Sequence, residues 1–163
     1  VVIVALGVAC SGAGTAADEP VRLRATIVRP HADTVAFAVP AAAHRCSGGP
    51  SLLLQATDER GNGVLALLRR GDSLATGSFP LIALGDSITP RGANVAVRYM
   101  LVDMAQGLSL DSGAVDLTAT DEALTARVQG SGLEGGARVK VEATYAGIPL
   151  PPPGDTVPCR FTR

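Results

Sequence analysis

The chain has 163 residues, 14 basic against 15 acidic side chains, and a formal net charge of -1. Hydrophobic residues make up 47 % of it, yet only 3 % are aromatic and Trp is absent, so a single domain's core has to be built from Val, Leu, Ile and Ala. The charge balance offers no basic footprint for nucleic acid or an anionic bilayer surface, and stacking platforms for single-stranded nucleic acid are scarce.

The first segment is Val1-Val2-Ile3-Val4-Ala5-Leu6-Gly7-Val8-Ala9-Cys10. It is too short to span a bilayer as a helix, which takes about 20 apolar residues. Its character is that of the apolar region of a signal peptide. Small residues lead directly into Cys10, and a polar, glycine-containing stretch from Ser11 to Pro20 follows. These residues resemble the lipobox of bacterial lipoproteins. Ala9 fits the position before the Cys, whereas Gly7 stands where Leu is usual and Leu6 lies one place earlier. The resemblance covers this segment alone. It implies a diacylated Cys10, with residues 1–9 a signal-peptide remnant, 10–20 a flexible tether and 21–163 a single β domain. Ser11 after the Cys implies the outer membrane of a two-membrane cell, and several acyl chains together make a stable anchor. The other reading is a secretory peptide cut near Ala17, which leaves a soluble periplasmic or secreted product.

With Cys10 given to lipid, Cys46 and Cys159 remain, and an exported protein meets an oxidising compartment in which they pair. Two free buried thiols are the alternative.

From residue 21 onward apolar side chains alternate with a period of two, the pattern of half-buried strands. Val21, Leu23, Ala25 and Ile27 share one face, and Val35, Phe37 and Val39 continue the pattern. The apolar runs Ser51 to Thr57 and Val64 to Leu68 read as strands at a sheet centre. Further alternation covers Val95 to Leu101, Val115 to Ala119, Leu124 to Val128 and Val139 to Tyr145. Between the strands lies turn chemistry. Asn62-Gly63 is suited to a type I′ hairpin, and Gly71-Asp72-Ser73, Gly85-Asp86-Ser87, Asp111-Ser112-Gly113 and Gly135-Gly136 mark other reversals. Pro149 to Pro153 predicts an extended segment over the surface that returns Cys159 to Cys46. The expected fold is all-β: an antiparallel β-sandwich, or small barrel, of about 8–9 strands with one disulfide.

Ile82-Ala83-Leu84-Gly85-Asp86-Ser87-Ile88-Thr89 resembles the first block of the GDSL/SGNH hydrolases, and a literal Gly71-Asp72-Ser73-Leu74 lies upstream. That family would make Ser87 or Ser73 an esterase nucleophile, with a downstream Asp and His to take its proton. Here the two His residues, His31 and His44, both precede the Ser, and the alternating helices of that fold are missing. Gly92-Ala93-Asn94 follows too closely to serve as the family's Asn block. These strings therefore read as polar turns.

Arg70-Gly71-Asp72-Ser73 spells an integrin-attachment tetrapeptide but is ordinary turn composition. His31, His44 and Cys46 fall short of four metal ligands, and a disulfide would consume the thiolate. The carboxylates of Asp111, Asp116, Asp121 and Glu122 lack calcium-loop spacing. No catalytic residue, cofactor or metal is expected. The reading is a non-enzymatic cell-envelope lipoprotein that contacts the membrane through its lipid and acts by binding a protein or small ligand, or by structural association. The alternative is a lipocalin-like carrier of a small apolar ligand. A serine hydrolase built on Ser87 ranks last.

Overall fold

Each alternating segment read from the sequence is a strand, and several run further than their apolar signal. The computed structural model describes residues 20–31, 34–70, 76–86 and 88–159; Cys10, Ser73 and Ser87 lie outside them. The strands are β1 (Val21–Val28), β2 (Val35–Cys46), β3 (Ser51–Thr57), β4 (Gly63–Arg69), β5 (Gly77–Pro80), β6 (Gly92–Leu101), β7 (Met104–Ala119), β8 (Ala123–Glu134), β9 (Ala137–Pro149) and β10 (Thr156–Val157).

β1 pairs antiparallel with both β2 and β9, so the order β1-β9-β8-β7-β6-β4-β3-β2 closes on itself. The fold is thus an eight-stranded antiparallel barrel in up-and-down order, all-β, with two short extra strands. Of the two expected architectures, the structure is the barrel. β5 runs beside the second half of β7, and β10 lies parallel to the end of β2.

Closure puts every second side chain in the lumen. Leu23, Ala25 and Ile27 of β1, Leu52, Leu54 and Ala56 of β3, and Val64, Ala66 and Leu68 of β4 are all buried there. Val95, Val97 and Tyr99 of β6 and Val139, Val141, Ala143 and Tyr145 of β9 complete the opposite walls. Tyr145 fixes the bore. β9 and β4 are separated by three strands in either direction round the ring, yet the Tyr145 hydroxyl donates to the Val64 carbonyl at 2.8 Å. One phenol spans the lumen.

Two turn expectations need correction. Asn62-Gly63 does not form a type I′ turn. Gly61 takes the left-handed position (φ 88°), the Asp58 carbonyl accepts from the Gly61 N–H, and Gly63 already belongs to β4. The Asp58 carboxylate accepts from both the backbone N–H and the side-chain amide of Asn62, and this local pairing sets the turn one residue early. Nor do Asp111-Ser112-Gly113 reverse the chain. They form a bulge inside β7, where the register with β8 shifts between Leu110 and Ser112. Gly113 has φ 122°, and a Cβ there would lie 2.1 Å from the Gln129 carbonyl oxygen, so the kink depends on glycine. Before the bulge β7 pairs with β6, and after it with β5. The type I′ geometry belongs to Gly135-Gly136, at φ 54° and 86°.

Cys46 and Cys159 form the expected disulfide. Pro149 ends β9, the Arg45 Nε–H donates to the Pro151 carbonyl at 3.1 Å, and β10 leads the tail to the bond. Pairing of the tail with β2 covers only Thr156 and Val157. The bond closes a loop of 113 residues, so reduction, or Cys46→Ala with Cys159→Ala, is expected to cost ~2–5 kcal/mol. Hydrogen exchange on the reduced protein should show protection lost first beyond Leu150, with the strands from Val95 to Tyr145 retained. Uniform loss across the barrel would contradict this.

Candidate functional site

The two ends of the barrel differ in how they are closed. At the hairpin end, short connections join β3 to β4, β6 to β7 and β8 to β9, and β1 ends and β2 begins there. At the terminal end lie the start of β1, the β2–β3 turn, the passage from β4 to β6, the β7–β8 turn and the C-terminal tail.

Inward alternation carried past the apolar layers brings polar groups into both mouths. At the hairpin end Arg29 follows Ile27, and Glu134 follows Gly132, on the lumen side of their strands. The Arg29 Nε–H donates to Glu134 Oε2 at 2.9 Å, and the buried Tyr99 hydroxyl donates to the other carboxylate oxygen. One carboxylate thereby satisfies a cation and a phenol, and this mouth is electrically balanced.

At the terminal end Arg45 pairs across from Leu52, a lumen residue, and Arg70 continues the inward series Val64, Ala66, Leu68. Arg70 is 8 % exposed. Its Nε and Nη1 are buried without a hydrogen-bond partner among the described residues. Burial lowers its pKa, and the neighbouring Arg45 charge lowers it further. The ion pairs among the described residues, Arg29 with Glu134 and Arg138 with Asp111, do not include either arginine. Sequence reasoning passed over Arg45 and read Arg70 only as the first residue of a turn tetrapeptide. The legible signal was a charge standing on the core phase of a strand, at Arg70 two residues beyond Leu68.

The described residues of the hydrolase-like block form a hydrogen-bonded loop. The Asp86 carboxylate accepts from the Ile88 and Thr89 backbone N–H groups and from the Thr89 hydroxyl, which hold its pKa down to about 2. Buried Asn94 donates to the carbonyls of Ile82 and Ala83, and Arg69 donates to those of Asp86 and Thr89. His31 lies in the β1–β2 turn and His44 near the far end of β2, on the outer face opposite Leu53, so the strand keeps them apart. Cys46 is spent in the disulfide. Arg70, the first residue of the attachment-like tetrapeptide, is buried.

Four clefts among the described residues lie on the outer wall or at the end loops. One of about 480 Å³ runs between Ala41–His44 of β2 and the proline segment. Another, of about 820 Å³, lies at the hairpin end beside Val35 to Ala38, where β2 has β1 on one edge and no β3 partner on the other. A third, of about 180 Å³, is framed by Leu53, Leu65, Leu67 and Pro158. The fourth, of about 440 Å³, opens at the terminal end onto Arg70, between the β2–β3 turn and Thr89-Pro90.

No family model, curated protein or solved structure matches the chain. The geometry alone carries the argument.

Both tyrosines of the chain are fully buried. Burial, and then the Glu134 hydrogen bond, pushes Tyr99 up to about 12, and burial pushes Tyr145 well above its usual value. In the unfolded chain both deprotonate near pH 10. Above that pH the unfolded state binds fewer protons than the native state, so stability falls as pH rises from about 10 to about 12. An alkaline titration should therefore show tyrosinate absorbance appearing together with loss of β circular dichroism. A tyrosinate step near pH 10 in folded protein would contradict the burial of either ring.

Proposed function

We propose that this protein is a non-enzymatic module of the bacterial cell envelope: a solid-cored barrel, held at the membrane by a lipid on Cys10, that works by binding at its surface. The observation that carries the reading is the Tyr145 hydroxyl meeting the Val64 carbonyl across the lumen. Among the described residues, one phenol and layers of buried Leu, Val and Ala side chains occupy the bore, which favours a surface-binding module over a carrier that encloses a chamber of several hundred Å³. The lipocalin-like alternative fits the same closed barrel and would need such a hollow beside these side chains.

Two observations weigh against the hydrolase reading. Asp86 is committed to backbone and Thr89 donors, and His44 lies on the outer wall of β2. A lipid on Cys10 would tether the chain through Val21, which opens β1 at the terminal end of the barrel, and the hairpin end would then face away from the anchor. Val28, Val102, Met104 and Leu133 are exposed there.

Full-length protein made with a complete signal peptide is expected to partition into detergent, and Cys10→Ser to release it or block its processing. A Cys10→Ser protein that stays membrane-bound and is processed normally would refute the anchor.

A fluorophosphonate probe is expected to leave Ser87 and Ser73 unlabelled in the folded chain. Stoichiometric labelling of either, mapped by mass spectrometry, would restore the hydrolase.

A further inference from the structure

We propose that the terminal mouth of the barrel is a binding site for a small oxyanion, a carboxylate or a phosphate, held by Arg70 and Arg45. Three observations converge on it. Arg70 Nε and Nη1 carry three N–H donors, buried and without an acceptor. Buried donors are almost always paired, so this exception calls for a partner. The second observation is the like charge of Arg45, brought to the same mouth by the register of β2 with β3 and facing no carboxylate among the described residues. Two guanidinium groups close enough to repel are stabilised by an anion between them. The third is access: a cleft of about 440 Å³ reaches Arg70 from solvent.

The neighbouring polar groups do not fill this role. Arg69 donates to the carbonyls of Asp86 and Thr89 and to Asn94 Oδ1, and the Asp86 carboxylate is held by Ile88 and Thr89. Arg45 donates through Nε to Pro151, which leaves the rest of its guanidinium fork for a ligand. The opposite mouth supplies the comparison. There Arg29 also follows the lumen phase of its strand, is partly exposed and has Glu134. The terminal mouth has the cations and, among the described residues, no ion-paired acid, and a guanidinium is the side chain best matched to carboxylate and phosphate oxygens.

This inference deepens the reading of the barrel as a binding module and names the ligand chemistry; it does not depend on the lipid anchor. The test is thermal unfolding of the full chain carrying Cys10→Ser, titrated with inorganic phosphate or acetate at constant ionic strength against chloride. The melting temperature should rise with either anion, saturably, because ligand binds only the native state. Arg70→Met should melt at or above the temperature of its parent without anion, since it removes an unpaired buried charge, and should lose the anion-dependent rise. Arg45→Met should weaken the rise. No response of the parent, or an equal response in Arg70→Met, overturns the site. A response seen only after Asp72→Asn also overturns it, because the acceptor would then be the chain's own carboxylate. Flotation of the same Cys10→Ser protein with phosphatidylglycerol vesicles separates the sources: Arg70-dependent flotation assigns a lipid headgroup phosphate, and anion binding without flotation assigns a free oxyanion. Failure of the anchor shows only in detergent partitioning, so the two readings fail independently.

Discussion

Closure of the ring through β1 is the constraint on which the rest of this structure depends. β1 has β2 on one edge and β9 on the other, so the first strand of the barrel joins the last. An open sheet of these eight strands would leave two unpaired edges and an apolar face with nothing to cover it. Once closed, the same face becomes a lumen that small and branched side chains fill. The composition suits this. A core whose fully buried aromatics among the described residues are Tyr99, Tyr145 and Phe79 packs a narrow bore well, and the Ala residues at 25, 43, 56, 66, 93, 126 and 143 leave room for these rings.

Two irregularities let strands of unequal length share the ring. β2 and β7, with 12 and 16 residues, are among the longest strands, and each changes partner along its length. β2 passes from β1 to β3 at Pro40 and Ala41, where β1 bulges between Val21 and Leu23, and proline gives up a ladder hydrogen bond there at little cost. β7 passes from β6 to β5 at the Gly113 bulge. These transitions produce the free stretch of β2 beside Val35 to Ala38 and the clefts along its flanks.

The mouths show a chemical asymmetry. A barrel end must either turn its last inward residues apolar or satisfy them as a set. The hairpin end does the second, with Arg29, Tyr99 and Glu134 on three different strands. The terminal end presents Arg45 and Arg70 without that neutralisation. This end also receives the start of β1, the described part of the C-terminal tail and the disulfide, so the unsatisfied charge sits where several segments meet and where a ligand has a path in.

Much of this fold was legible in the sequence. A period of two reports which side chains share a face, and it located six strands, from Val21, Leu23, Ala25 and Ile27 to Val139, Val141, Ala143 and Tyr145, while the apolar runs Ser51 to Thr57 and Val64 to Leu68 located two more. Cysteine arithmetic paired Cys46 with Cys159, because an odd count with Cys10 set aside leaves one choice. The first half of β7 escaped, since Met104 to Gly107 carry no alternation of apolar and polar residues, and β5 and β10 are too short to have any. Local pattern also cannot say whether two faces meet as a sandwich or one face rolls into a barrel: both bury the same alternate residues, and the difference lies in the pairing of β1 with β9, distant in sequence. The mouths were decided in the same way. Arg45 and Arg70 are unremarkable turn-adjacent residues in the chain, and only strand register and closure turn both guanidinium groups into one opening.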